Sequence, residues 1–270
     1  MKLSVKIIPV ISALCLSAAF VGCEEISEDE RYIPVEAVNP VRGVLIEEFT
    51  GQSCKNCPGG HRAIAGLRQQ YGKSVIPVSI HASGLAYADG ELGPDYQGFK
   101  IPEGDSYYRE NGSNPLPNAI VNRNSGTLNV AQWTAVVESE LKKPSTLDIE
   151  VVAAPAEQGS RTVDIEVTLK SSSDVKGSLQ VWIVESGIVS VQQDGDEFIM
   201  DYTHNHILRG VVNGLHGEET AVTANVFKTL DYTYELKEKW VPENVAVVAF
   251  FYNGSGVVQA VEAPLSISAD

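Results

Sequence analysis

The sequence predicts an α/β region followed by an all-β sandwich. Two observations predict this fold class: a strand–helix–strand pattern with short apolar strands in residues 41–144, and period-two alternation from residue 145 onward. A chain of 270 residues with 43% hydrophobic content can bury a core for each region.

The N-terminus predicts a lipoprotein-type signal peptide over residues 1–22. Lys2 and Lys6 precede an apolar run, residues 7–21, that is too short for a stable transmembrane helix. The run ends in "AAFVGC", which resembles a lipobox, although Phe20 stands where Leu is usual. This predicts cleavage before Cys23 and its diacylation, so that acyl chains anchor the protein to a membrane.

Residues 23–40 read as an acidic tether that begins "CEEISEDE". An acidic run directly after the lipidated cysteine resembles an export signal of some Gram-negative lipoproteins. We therefore expect a lipid-anchored outer membrane protein, on the periplasmic or the cell-surface face. The formal net charge of −15 argues against nucleic acid as a partner, because phosphates require clustered Lys and Arg.

The first folded region, residues 41–144, opens with a strand, a helix and a second strand. "VRGVLIEEFTG" and "SVIPVSIHA" are apolar enough for strands buried on both faces, and "HRAIAGLRQQYG" between them predicts a helix that Gly72 ends. Residues 83–113, rich in Gly and Tyr, are too long for a simple connection and predict an insertion. "NPLPNAIVNR" then leads into a strand, and "VAQWTAVVESELKK" predicts a helix that Pro144 ends.

Residues 145–270 predict the sandwich domain. Segments such as "TLDIEVVA", "RTVDIEVTLK" and "NVAVVAFFYN" alternate between apolar and polar residues, and turn-rich gaps separate them.

Only one cysteine pair remains for chemistry. Cys15 leaves with the signal peptide and Cys23 takes the lipid, so Cys54 and Cys57 stay as thiols in an oxidising compartment. The pair can be a redox centre, a structural disulfide or half of a metal site. The metal interpretation lacks a third or fourth cysteine.

A CxxC between a strand and a helix resembles thioredoxin. In that resemblance Cys54 attacks and Cys57 resolves, Glu48 is the buried acid that moves a proton, and Pro117 is a cis-proline that positions the partner chain. Lys55 can favour a Cys54 thiolate. Two features depart from the pattern: Ser53 replaces the usual Trp, and Pro58 weakens a helix that starts at Cys54.

Four histidines are weaker candidates for a site. His61, four residues after Cys57, can contact a thiolate or lie on the surface, and His81 ends the second strand at the edge where thioredoxin folds carry chemistry. His204 and His206 in "HNHILRG" share one side of a predicted strand, but no spacing supplies a third metal ligand. We therefore predict a structural role for them, no bound metal and no cofactor.

Taken together, the lipobox-like motif, "EEFTGQSCKNCPGG", "SIHA", "NPLPNAIVNR" and "YTHNHILRGVVNG" resemble the outer membrane protein 28-related lipoproteins of Gram-negative bacteria. The resemblance implies a thioredoxin-like domain followed by an immunoglobulin-like β-sandwich. It leaves two functions open. One is thiol–disulfide exchange on exported proteins, and the other is non-catalytic binding of an unknown protein partner with Cys54–Cys57 as a structural disulfide.

Overall fold

Residues 41–267, which the computed structural model describes, fold mainly as β-strands. Three helices accompany them: α1 (Cys57–Tyr71), α2 (Pro102–Glu110) and α3 (Val130–Leu141). The strands are β1 (Val44–Thr50), β2 (Val75–His81), β3 (Asn118–Val121), β4 (Leu147–Pro155), β5 (Thr162–Ser171), β6 (Val175–Glu185), β7 (Ile188–Asp194), β8 (Glu197–His204), β9 (Ile207–Val211), β10 (Glu218–Val222), β11 (Lys228–Glu235), β12 (Val245–Asn253) and β13 (Gly256–Pro264).

The central sheet contains eight strands, in the order β13-β12-β6-β9-β2-β1-β3 with β10 paired to β6. β1 and β2 run parallel, and every residue of both strands is buried. Burial on both faces explains why these two strands are continuous apolar runs. α1 connects them; Pro58 lies in its first turn, where a missing N–H is tolerated, and Gly72 follows its end at a φ of 56°.

α1 and α3 cover one face of this sheet. Ile64 and Leu67 of α1 and Trp133 and Val137 of α3 pack with the apolar residues of β1 and β3. A capping box formed by Asn129 and Gln132 fixes the start of α3.

A second sheet, β11-β5-β4, forms an outer layer. Its residues alternate between buried and exposed, as period-two strands with one solvated face do. The buried residues, such as Val163 and Ile165, pack on Val181 and Val247 of the central sheet.

The expected fold class, an α/β thioredoxin-like N-terminal domain followed by an immunoglobulin-like sandwich domain, is wrong. β2 pairs in parallel with β9 at Ser79–Ile207, and β9 pairs with β6, so strands from both sides of residue 144 share one sheet. The N-terminal strands therefore complete their sheet with strands of the C-terminal half. The outer sheet packs on this shared sheet, so the immunoglobulin-like arrangement is not confirmed either.

β7 and β8 form a two-stranded sheet of their own. They connect β6 to β9, and we name residues 186–206 the cover hairpin. At its base Gly187 and His206 have positive φ values of 70° and 57°. The two ends are joined there, because the Gly187 N–H donates to Asn205 Oδ1 and the His206 N–H donates to Ser186 Oγ.

The predicted signal peptide, residues 1–22, and the tether, residues 23–40, lie outside the described residues. Within residues 41–267, no helix is long and apolar enough to cross a bilayer.

Candidate functional site

Cys54 and Cys57 form a disulfide at the start of α1. Their sulfurs are 2.12 Å apart and their Cα atoms are 5.4 Å apart. Cys54 lies in the turn that follows β1, where its N–H donates to Gly51 O, whereas Cys57 is the first residue of the helix. The helix therefore begins after Cys54, at the residue before Pro58. Both cysteines are buried, with exposures of 4% for Cys54 and 0% for Cys57.

Glu48 is a fully buried acid on β1. Ser79, its register partner on β2, donates a hydrogen bond of 2.8 Å to Glu48 Oε2. Burial raises the pKa of Glu48 to about 8, although the Ser79 hydroxyl lowers it in part. At neutral pH the side chain is therefore mostly a neutral carboxylic acid.

Glu48 and Pro117 lie against the first turn of α1 at Gly60. A Cβ built on Gly60 would stand 2.5 Å from Glu48 Oε1, 2.9 Å from Trp133 Cη2 and 3.3 Å from Pro117 Cβ. The absence of a side chain at Gly60 therefore permits this packing. The Leu116–Pro117 peptide bond is cis, which confirms that part of the prediction. Lys55, between the two cysteines, is exposed.

His61 lies inward rather than on the surface. Its Nε2 is 3.0 Å from Thr50 Oγ1 and 3.8 Å from Glu48 Oε1, and its Nδ1 is 2.9 Å from the Tyr202 hydroxyl on β8. Burial, helped by the charge of Arg62, lowers the pKa of His61 to about 4, so the imidazole is neutral at neutral pH.

His81 and His204 extend this group of imidazoles. Their ring centroids are 5.6 Å apart, and the centroids of His61 and His204 are 6.3 Å apart. His204 Nε2 contacts Val191 O at 3.3 Å, whereas His204 Nδ1 and both ring nitrogens of His81 have no hydrogen-bond partner among the described residues. Burial lowers the pKa of His204 to about 3 and that of His81 well below its usual range.

The expectation that His204 and His206 share one side of a strand is wrong. His204 ends β8, whereas His206 lies beyond it, and its positive φ turns the chain before β9. His206 Nδ1 instead lies 3.5 Å from Glu262 Oε1. Among residues 41–267, no group of three or more His, Cys, Asp or Glu side chains is arranged to hold a metal ion.

The cover hairpin lies directly on the disulfide loop. The Gln193 N–H donates to Gln52 O at 2.8 Å, and the Gly195 N–H donates to Lys55 O at 2.9 Å. The Gln192 amide donates to Cys54 O at 3.2 Å. These contacts close the outer side of the cysteine pair.

A cavity of about 410 Å³ opens beside Glu48, between α1 and the cover hairpin. Three polar atoms on the side chains that line it have no hydrogen-bond partner among residues 41–267: Glu48 Oε1, His204 Nδ1 and His206 Nδ1. Other lining residues are His61, Arg62, Arg68, Ser79 and Tyr202. A polar cavity of this size holds water, which gives Glu48 a route for proton exchange.

Sequence reasoning missed Ser79, Gln192 and Tyr202. Ser79 could have been predicted, because parallel pairing of the two predicted strands places it opposite Glu48. Gln192 and Tyr202 reach the site only because the cover hairpin folds back across the chain, and no local pattern signals that.

Comparison with known proteins identifies the family. The family model described as outer membrane protein Omp28 matches residues 104–266. The chain belongs to the Omp28 family. It is therefore a lipid-anchored outer membrane protein, as its N-terminal motif predicts. The matched region begins in α2 and excludes Cys54 and Cys57, so family membership by itself carries no information about the disulfide.

Solved structures resemble this Omp28-family chain in fold. HBP35 of Porphyromonas gingivalis has a TM-score of 0.65 and 16% identity over 85% of this chain and 78% of its own. A protein of Agrobacterium tumefaciens has a TM-score of 0.52 and 15% identity over 86% of this chain and 98% of its own. A domain of the outer membrane lipoprotein Omp28 from Porphyromonas gingivalis is 25% identical over 46% of this chain and 100% of its own, with a TM-score of 0.35. No curated protein matches the chain.

Proposed function

We propose that this outer membrane lipoprotein carries out thiol–disulfide exchange on exported proteins through Cys54–Cys57. The observation that carries the proposal is the neutral, fully buried Glu48 against the first turn of α1, which begins at Cys57. A buried carboxyl group whose hydrogen-bond donor is Ser79 destabilises the fold, and a merely structural disulfide does not require it. A proton donor with a pKa of about 8 suits a leaving thiolate.

Starting from the disulfide, a partner thiolate attacks Cys54 Sγ. An intermolecular S–S bond forms, the Cys54–Cys57 bond breaks, and Cys57 leaves as a thiolate that accepts the proton of Glu48. A second partner thiolate then attacks the partner sulfur of the mixed disulfide and releases Cys54 as a thiolate, which solvent protonates. Two electrons pass from the partner to the cysteine pair, and the partner dithiol becomes a disulfide.

Four further side chains support these steps. His61 and the cavity beside it return a proton from water to Glu48. The exposed Lys55 stabilises the Cys54 thiolate electrostatically. Pro117 holds the extended partner segment beside the cysteines, and His81 contributes to the polar surroundings of the site.

The test is the rate at which the mature protein oxidises a dithiol peptide. We expect Glu48→Gln to lower this rate roughly 100-fold, the scale of one lost acid–base group, while Glu150→Gln, an exposed carboxylate on β4, leaves it unchanged. A disulfide-bonded peptide "GQSCKNCPGG" serves as the reference. A wild-type protein that reacts no faster than this peptide at any pH between about 5 and about 7.5 would refute the exchange function.

Non-catalytic binding is the second candidate, and the burial of both cysteines favours it. In that case the disulfide only stiffens the loop on which the cover hairpin rests, and a protein partner binds elsewhere. The Cys54→Ser/Cys57→Ser double variant separates the two functions. Partner capture that persists in this variant supports binding, whereas capture that is lost supports exchange.

The lipid anchor is assigned to Cys23. We expect Cys23→Ser to move the protein from the outer membrane fraction to a soluble fraction, because the acyl chains that bury CH₂ groups in the bilayer are no longer attached. Cell fractionation with metabolic labelling by palmitate measures this. The Cys15→Ser variant is the matched control and should stay membrane-bound, and a labelled Cys23→Ser protein would contradict the assignment.

A further inference from the structure

We propose that the cover hairpin, residues 186–206, is a lid that opens on acidification and exposes the Cys54–Cys57 disulfide. The regulatory meaning of this lid rests on the proposed exchange function. Its opening is a separate property, which can be measured without any exchange activity.

The closed lid covers one side of Cys54, which is only 4% exposed. Main-chain bonds from Gln193 to Gln52 O and from Gly195 to Lys55 O bracket the cysteine on both sides. Gln192 fills the space between them and donates to Cys54 O. A partner sulfur cannot approach Cys54 from the side that these residues occupy.

The fold allows the hairpin to move as a unit. β7 and β8 pair with each other and with no strand of the other two sheets. The chain enters the hairpin at Gly187 and leaves it at His206. These two residues lie side by side, and both have a positive φ. Elements held by few main-chain bonds to the body of the protein open at lower free energy than core strands.

The underside of the lid combines an apolar contact, Ile188 against Phe99, with polar side chains that make only part of their hydrogen bonds. The buried atoms there that lack a hydrogen-bond partner among the described residues come from both surfaces: Gln52 Oε1, both ring nitrogens of His81, Gln192 Oε1 and His204 Nδ1. When the lid opens, water can form hydrogen bonds with these atoms. This lowers the free-energy cost of opening.

Three imidazoles make the contact sensitive to acid. His61 on α1 and His81 on β2 belong to the body, whereas His204 belongs to the lid, and its ring lies within 6.3 Å of His61 and 5.6 Å of His81. While the lid is closed, burial keeps the pKa of each ring below its ordinary value. The open state binds protons first as pH falls below about 6.5, so acidification favours opening.

The acidic and phenolic groups around the cluster do little to offset this effect. Glu48 faces His61, but its pKa of about 8 keeps it neutral in the same pH range. The pKa of Tyr202 is raised by burial, so its hydroxyl stays uncharged. Asp194 favours protonated His61, but it is partly exposed and paired with Arg62 at 3.4 Å.

Arg209 is a cation that opposes protonation of His81 while the lid is closed. Arg209 of β9 lowers the pKa of His81, and its own partner, Glu185, lies 3.3 Å away on β6. A charged His81 ring under the closed lid therefore lies near a guanidinium, and the charged carboxylates beside the cluster among residues 41–267, Asp194 and Glu185, are paired with Arg62 and Arg209. Opening of the lid leaves His81 and Arg209 in place but admits water, which weakens the repulsion between the two charges.

The experiment measures access of a small reductant, tris(2-carboxyethyl)phosphine, to the disulfide. Each rate is divided by that of the disulfide-bonded peptide "GQSCKNCPGG" at the same pH. We expect this ratio to rise at least tenfold from about pH 7.5 to about pH 5, because one histidine whose pKa is lowered by two units already gives more than that. A ratio that does not change with pH overturns the proposal.

Variants test the role of the histidines. His204→Phe keeps an aromatic ring under the lid but removes one titrating group, so the rise in the ratio should shrink at least threefold. His216→Phe, at an exposed histidine paired with Glu110, is the matched control and should respond like the wild-type protein. Equal responses in the two variants would overturn the assignment to His204.

Hydrogen exchange distinguishes lid opening from unfolding. The amides of Gln193 and Gly195 should lose protection, relative to intrinsic exchange, at about pH 5, while the amides of β12 keep theirs. Joint loss in both places would mean global unfolding and would overturn the lid. An acid-opened lid without exchange activity refutes only the proposed function, and exchange activity with a pH-insensitive lid refutes only this inference.

Discussion

Glu48→Gln is expected to be more stable than the wild-type chain by about 3 kcal/mol at neutral pH, and equally stable near pH 4. The unfolded chain releases the Glu48 proton near the ordinary pKa of 4.5, whereas the folded chain holds it up to about pH 8. The folded state therefore binds more protons between these values, and wild-type stability falls as pH rises through this window. Neutral pH lies about 2.5 units above the pKa of 4.5 in the unfolded chain. At about 1.4 kcal/mol per unit, this difference gives the expected gain of about 3 kcal/mol.

Denaturant unfolding of both proteins from pH 4 to pH 8 measures this effect. Glutamine keeps a carbonyl oxygen for the Ser79 hydroxyl and removes the charge, so its stability should vary less across the range. Glu150→Gln should follow the wild-type curve. Parallel curves for wild type and Glu48→Gln would show that the buried acid does not hold its proton, and the variant that gains stability is also the one expected to lose exchange.

Gly60→Ala is expected to lower the free energy of unfolding by about 1–3 kcal/mol, as overpacking of a filled core does. The added methyl group would lie 2.5 Å from Glu48 Oε1 and 2.9 Å from Trp133 Cη2, and both neighbours are fully buried. The first turn of α1 must shift to make room, which also displaces Cys57 relative to Glu48. Thermal or urea unfolding measures the loss of stability.

Gly59→Ala is the matched control on the same turn. A Cβ built on Gly59 meets nothing within 4 Å, so the substitution should stabilise the protein by up to about 1 kcal/mol through helix propensity. The two substitutions are chemically identical and adjacent, so they change helix propensity alike. Opposite changes in the free energy of unfolding would therefore result from packing at Gly60. Equal effects at both positions would disprove the close approach of Gly60 to Glu48.

The sequence predicts the parts of the candidate site that depend on residues close together along the chain. A strand, two cysteines and a helix in succession place Cys57 at a helix start and Glu48 on the preceding strand, and both positions agree with the structure. The cis bond before Pro117 was implied by the resemblance to thioredoxin. In each case the relevant contacts lie within one strand–helix–strand unit or its neighbouring strand.

Long-range pairing was beyond the sequence pattern. Nothing in "SVIPVSIHA" or "HNHILRG" indicates that β2 and β9 pair. Alternation and apolar runs indicate which faces of a strand are buried, but they do not indicate which strand lies beside it. The same limit hid the cover hairpin, and with it the contact with Tyr202 that leaves His61 only partly exposed. Two independent domains were the simpler expectation, and one pairing between Ser79 and Ile207 overturns it.

The shared sheet also sets an order of events during secretion. Export begins at the N-terminus, so Cys54 enters the oxidising envelope well before Gln192, which lies 138 residues further along the chain. β2 cannot gain its β9 neighbour until that later stretch arrives. The two thiols are consequently accessible to an oxidant before the hairpin that later shields them has been exported.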